Sequence, residues 1–117
     1  MLSDYVITRR GRAYALYEGL LAEAHRRGLS GIRTHLLQAP TAANGHLAVC
    51  AAAVTTPRGE FGALGMADPS TPGRMAGSTL IQLAETRAKA RALIDALGAD
   101  VVPFEEVDFE APEEDEA

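Results

Sequence analysis

The chain has 117 residues, a net charge of −5 and a hydrophobic share of 47%, enough for one domain with a single modest core. No run reaches the ~18 uninterrupted apolar residues of a membrane span, and the opening MLSDYVITRRGR has neither a long apolar segment nor a small-residue cleavage site. A cytoplasmic protein without membrane contact is the expectation, and the lone Cys50, lacking a second cysteine for a disulfide or thiolate metal site, reads as a small core filler.

In chain order, Tyr5–Thr8 (YVIT) is a predicted strand and Arg9–Arg12 (RRGR) a turn around Gly11. Ala13–Leu16 is either a second short strand or the beginning of a helix, because period alone does not separate them. A helix is predicted over Tyr17–Arg27, with Leu20, Leu21 and Ala24 inward. Its last turn carries His25, Arg26 and Arg27, where cations suit the helix dipole, and Gly28 is the expected stop. Ile32–Gln38 alternates loosely as a strand, and APTAANGH is a loop with Asn44-Gly45 as its turn signal. Leu47–Thr55 is a long alanine-rich strand, and Pro57-Arg58-Gly59 turns into a third strand at Glu60–Gly65. Short loops make the three antiparallel. The breaker-rich MADPSTPG then leads, with Ser70 as a helix-start residue and Pro72 just inside the start, into a long helix over Arg74–Leu97 that Gly98 stops. The order α-β-β-β-α predicts an α+β fold: an antiparallel meander of three to four strands on a long C-terminal helix, with a shorter N-terminal helix.

Charge divides the chain in two. Eight of the sixteen acids follow residue 104 and no Lys or Arg does, so the first 104 residues hold eight acids against eleven bases, a net of +3. The expected organisation is a mildly basic domain over residues 1–108 and an acidic, disordered tail over 109–117.

The long helix poses a question. Turning ~100° per residue, it gathers Leu80, Leu83, Ala84, Ala88, Ala90 and Ile94 on one apolar face, with Arg87 and Arg91 near its middle. A surface helix keeps charges on the opposite side. In one reading each arginine lays its stem along the sheet and pairs with Glu60, Asp68, Glu85 or Asp95. In the other, the helix end projects past the sheet and Arg91, with Lys89, meets phosphate.

Catalytic chemistry is not indicated. His25, His35 and His46 lack metal-site spacing, there is no P-loop, and Gly62–Gly65 is too short for a dinucleotide fingerprint. A non-enzyme without cofactor or metal is expected.

Several segments support a resemblance: GLLAEAHRRGL (Gly19–Leu29), a meander ending in G-x-F-x-x-x-G (Gly59, Phe61, Gly65), an A-x-P (Ala67, Pro69), the pair Arg74-Met75, and above all AETRAKARAL (Ala84–Leu93). Together they resemble the single-strand annealing proteins of the Rad-fifty-two type, whose bacterial and phage relatives share the helix signature A-E-T-R-A-x-x-R-A-L. Those relatives commonly read G-D-A-S-P before the long helix, where this chain reads Gly65-Met66-Ala67-Asp68-Pro69. The resemblance implies a β-β-β-α core whose protomers join by their sheets into rings or arcs. It also implies single-stranded DNA in an outer basic groove and strand annealing in recombination and the repair of DNA damage, without nucleotide hydrolysis. Recombination or single-strand-binding proteins are candidate partners of the acidic tail. Arg91 matches a basic position of the family's K/R-A-L segment, so Arg91 is assigned to DNA, and Arg87, with Glu85 among its candidate partners, to structure.

Binding of single strands needs cations along a groove and aromatic rings for stacking. The candidates are Arg9, Arg10, Arg12, Arg58, Arg74, Lys89 and Arg91, with Tyr5 and Tyr14. The alternative is a protein-interaction module of the same fold with little DNA binding. Clustering of Arg58, Arg74, Lys89 and Arg91 on one strip favours the first, scattering the second.

Overall fold

The structure is a computed structural model, which describes residues 2–71 and 79–103. Arg74, the expected helix start before Thr79 and the acidic tail lie outside the described residues. The fold is α+β, with a long C-terminal helix packed on antiparallel strands and a shorter N-terminal helix.

A 3-10 turn over Leu2–Tyr5 leads into β1 (Val6–Arg9) and β2 (Arg12–Ala15), so Tyr5 falls outside the strand predicted for it. Arg10 and Gly11 have φ of 52° and 77°, the two positive values of the tight hairpin turn whose twist matches that of its strands. That turn decides the fate of Ala13–Ala15, which continue as strand rather than helix. Next, α1 spans Tyr17–Arg26, and Gly28, at φ 97°, turns the chain away. Leu20 and Ala24 are buried as expected, and Tyr5 packs against Gly19, where a side chain would leave it no room.

The meander consists of β3 (Gly31–Gln38), β4 (Ala48–Thr56) and β5 (Gly59–Ala67), antiparallel in that spatial order. The register slips between Leu36 and Gln38, a bulge that accounts for the loose alternation of β3. On β4 the pattern is sharp: Ala48, Cys50, Ala52 and Val54 are buried, while the residues between them face out. α2 (Thr79–Leu97) lies chiefly across β4 and β5. Gly65 lies directly under its backbone at Ala84 and Ala88, and Thr34 donates its hydroxyl to the Glu85 carboxylate at 2.7 Å. Gly98, at φ 64°, ends the helix. The chain then returns as β6 (Val102–Pro103), parallel to β2, giving two three-stranded sheets among the described residues instead of one. A two-residue strand containing a proline has no periodicity to read.

The single apolar face expected for the long helix is corrected. α2 is buried on two sides: the sheet covers Ala84, Ala88 and Ala92, while α1 packs on another flank, where Tyr17 lies under Lys89 and Arg27 reaches Leu97. Leu93, nine residues from Ala84 and thus roughly half a turn around, is fully buried, whereas Leu83 and Ile94 are only half-buried. The expected face is itself buried at Leu80, Ala84 and Ala88 and opens to solvent only towards the C-terminal end of the helix, where Arg91 and Asp95 are exposed.

Cys50 is buried with its Sγ 3.8 Å from the Ile81 carbonyl, and burial, followed by the nearby Glu85 charge, pushes its thiol pKa up. The thiolate is the reactive form. Alkylation by iodoacetamide at mildly alkaline pH should therefore be slow in the folded protein and fast in denaturant. Equal rates by mass spectrometry would contradict the burial.

Candidate nucleic-acid interface

Cross-strand partners share a face and neighbours along a strand alternate, so the β1–β2 register sorts the hairpin. Val6 pairs with Ala15 and Thr8 with Ala13. That face points inward, since Ala15 is fully buried. The other face carries the pairs Ile7–Tyr14 and Arg9–Arg12, extended by Val102 beside Tyr14. That face holds the half-buried Tyr14 ring and an isoleucine 39% exposed, with half-buried Arg9 and exposed Arg12 one step away and Arg10 exposed on the connecting turn. Like charges directly opposite on paired strands are destabilising, and a non-glycine residue at positive φ is uncommon. The hairpin tip concentrates both costs on arginines. Arg12 also lines a cleft with Gly11, Ala13, Asp100, Val101 and Val102.

A second basic group surrounds the C-terminus of α2. Arg27 Nη1 donates to the Leu97 carbonyl at 3.2 Å and Arg58 Nη1 to the Ala96 carbonyl at 3.4 Å. The last carbonyls of a helix lack intrahelical donors and carry the negative end of its dipole, so both guanidiniums seal the terminus, and each is forked and has donors to spare. Glu23, buried on α1, binds Arg26 at 2.8 Å and Arg27 at 2.9 Å. The Arg27 hydrogen bond, together with the charges of Arg26 and Arg27, lowers its pKa against the opposing effect of burial. Asp68 is lowered as well, first by the Ser70 hydroxyl, then by the Ser70 amide and by Thr71. A depressed carboxyl stabilises the fold above its ordinary pKa and loses that contribution as pH falls through the folded value. Melting temperature should therefore decline on acidification below about 4.5, the ordinary value for Glu23. Glu23→Gln should flatten that decline, and an equally steep profile would remove Glu23 from it.

The predicted basic residues do not gather on one strip. Lys89 lies 5.2 Å from the Tyr17 ring centroid, while Arg91, two residues along, is roughly 200° away around the helix and exposed. Arg58 sits at the β4–β5 turn and Arg9, Arg10 and Arg12 on the hairpin; Arg74 is outside the described residues. Arg87 is half-buried with Nη1 sealed from solvent. Of the other carboxylates proposed to meet Arg87 or Arg91, Glu60 binds Arg33 at 3.0 Å and Asp68 binds Ser70 and Thr71. Sequence reasoning treated Arg26 and Arg27 as dipole partners alone; the proximity of Arg27 to Arg58 follows from the docking of α1 on α2 and has no local signal. Tyr14 was legible as an aromatic, but its grouping with Arg9 and Arg12 required the register. His25, His35 and His46 are exposed and apart, and no metal-binding group occurs among the described residues.

No protein family, curated protein or solved structure was found to match the chain.

Proposed function

We propose that the protein binds single-stranded DNA through the exposed face of the β1–β2 hairpin and acts as a non-enzymatic annealing module in recombination or repair. The observation that carries this reading is the grouping of Tyr14 and Ile7 with Arg9 and Arg12 on one face, with Arg10 at the tip. Bases stack on an aromatic ring without sequence preference, and arginines beside it meet the phosphates. The AETRAKARAL signature supports the same reading.

Fluorescence anisotropy with a labelled oligothymidine at low salt tests the proposal. Tyr14→Ala should weaken binding by about 1–3 kcal/mol, the contribution of one stacked base, and Tyr14→Phe should retain it. Arg12→Ala should flatten the slope of log K against log salt by about 0.7, one single-strand phosphate contact. Truncation after Val107 should raise affinity if the acidic tail competes with phosphate. Absence of binding by the wild-type chain, or binding unchanged in the Tyr14→Ala/Arg12→Ala double variant, overturns the reading.

A protein-interaction module is the second reading, favoured by the divergence of Lys89 and Arg91 around α2 and by the apolar residues left uncovered on the meander.

A further inference from the structure

We propose that the outer face of the β3–β4–β5 sheet is the contact surface of a symmetric dimer with a second copy of this chain. The inference is independent of the nucleic-acid reading. α2 covers one face of this sheet, and the register lists what stands on the other. From one end the rows are Gly31, Thr55 and Glu60; then Arg33, Ala53 and Gly62; then His35, Ala51 and Leu64; then Gln38, Val49 and Met66. Leu64 is 52% exposed and Met66 49%, and the central strand between them and β3 presents only Val49, Ala51 and Ala53 before Thr55. The surface is flat in its middle, apolar at one end and charged at the other, where Arg33 reaches Glu60 at 3.0 Å with both side chains more than half exposed.

The placement of the charges selects the occupant and its orientation. A two-fold axis midway between the two sheets and parallel to β4 superposes β3 of one copy on β5 of the other and keeps every row at its own level. Arg33 then stands over the partner's Gly62, within the same diagonal reach of the partner's Glu60 that it already spans inside its own chain, and the partner's Arg33 does the reverse. Ala51 and Ala53 stack on themselves, and small residues there allow the approach of about 10 Å that face-to-face sheets adopt. A two-fold axis across the strands would instead set the Arg33–Glu60 end on the partner's Met66 end, placing charge on apolar surface. Self-complementarity about one axis is the requirement of an isologous dimer.

The area sets the strength. Three strands about 4.8 Å apart and four rows deep give a face well short of the ~800 Å² per partner of a standard interface. A weak, concentration-dependent dimer is expected.

Sedimentation equilibrium of the full chain, from micromolar to near-millimolar concentration, tests this. A reversible monomer–dimer equilibrium is expected. Ala51→Arg and Arg33→Glu should each leave a folded monomer, while the Arg33→Glu/Glu60→Arg exchange should restore the dimer. As a check that needs no disruptive variant, Ala53→Cys should be captured as a dimer by a short bismaleimide, the buried Cys50 not competing. Monomer at every concentration overturns the proposal. So does an assembly that survives Ala51→Arg, since edge strands pairing through main-chain bonds would not sense that side chain. A charge exchange that fails to restore the dimer, or a missing Ala53→Cys crosslink, removes the axis along β4.

Discussion

Replacing Gly65 by alanine is expected to lower the melting temperature by about 10 °C or more, through the upper end of the ~1–3 kcal/mol that overpacking costs. A Cβ there would lie 2.9 Å from the Ala88 Cα and closer still to the Ala84 carbonyl oxygen and the Ala88 amide nitrogen. These are backbone atoms of α2, and no rotamer change can move them. The helix must lift from β5 along the row where it is seated, loosening Ala84 and Ala88, both fully buried. Gly62, on the outer face of the same strand, is the control. Its added Cβ would meet only the Ala52 carbonyl at 3.5 Å, an ordinary contact, so Gly62→Ala should be neutral or slightly stabilising, glycine being a poor strand residue. Thermal melts of the two variants decide the matter: equal midpoints would mean that α2 does not rest on the β5 backbone at Gly65.

Leu93→Ala is the second large effect, a loss of about 2–5 kcal/mol, the range for deleting a buried leucine side chain where the site cannot collapse. Leu93 is fully buried and shares its core with Leu20 and Ala24 of α1 and with Leu97. The neighbouring Ile94, half-buried, should cost clearly less when truncated to alanine. The ranking is informative because the pattern of α2 alone puts Ile94 on the apolar face and Leu93 off it. Urea titrations giving a larger loss for Ile94→Ala than for Leu93→Ala would restore a helix buried on one side only. Against the ~5–15 kcal/mol that holds a domain of this size, the expected Leu93 loss is enough to leave the variant marginal.

The sequence by itself determined the elements whose evidence is local. Asn44-Gly45 and Pro57-Arg58-Gly59 set the turns of the meander, Gly28 and Gly98 ended the two helices at positive φ, and the alternation of Ala48, Cys50, Ala52 and Val54 marked one buried face of β4. Those signals act within a few residues, through allowed backbone angles and side-chain period, and so remain visible in a string of letters. Only the tertiary structure decided what depends on two elements meeting. α1 docks on a flank of α2 that its own apolar pattern does not single out, which buries Leu93 and leaves Arg91 in solvent. β6 exists because β2 offers it an edge. Tyr14 joins Arg9 and Arg12 because an Arg10-Gly11 turn fixes the register of two strands, and Arg27 and Arg58 donate to successive carbonyls because the ends of three elements converge on the end of α2. Burial is a property of the pair of surfaces in contact, and one surface read alone does not contain it.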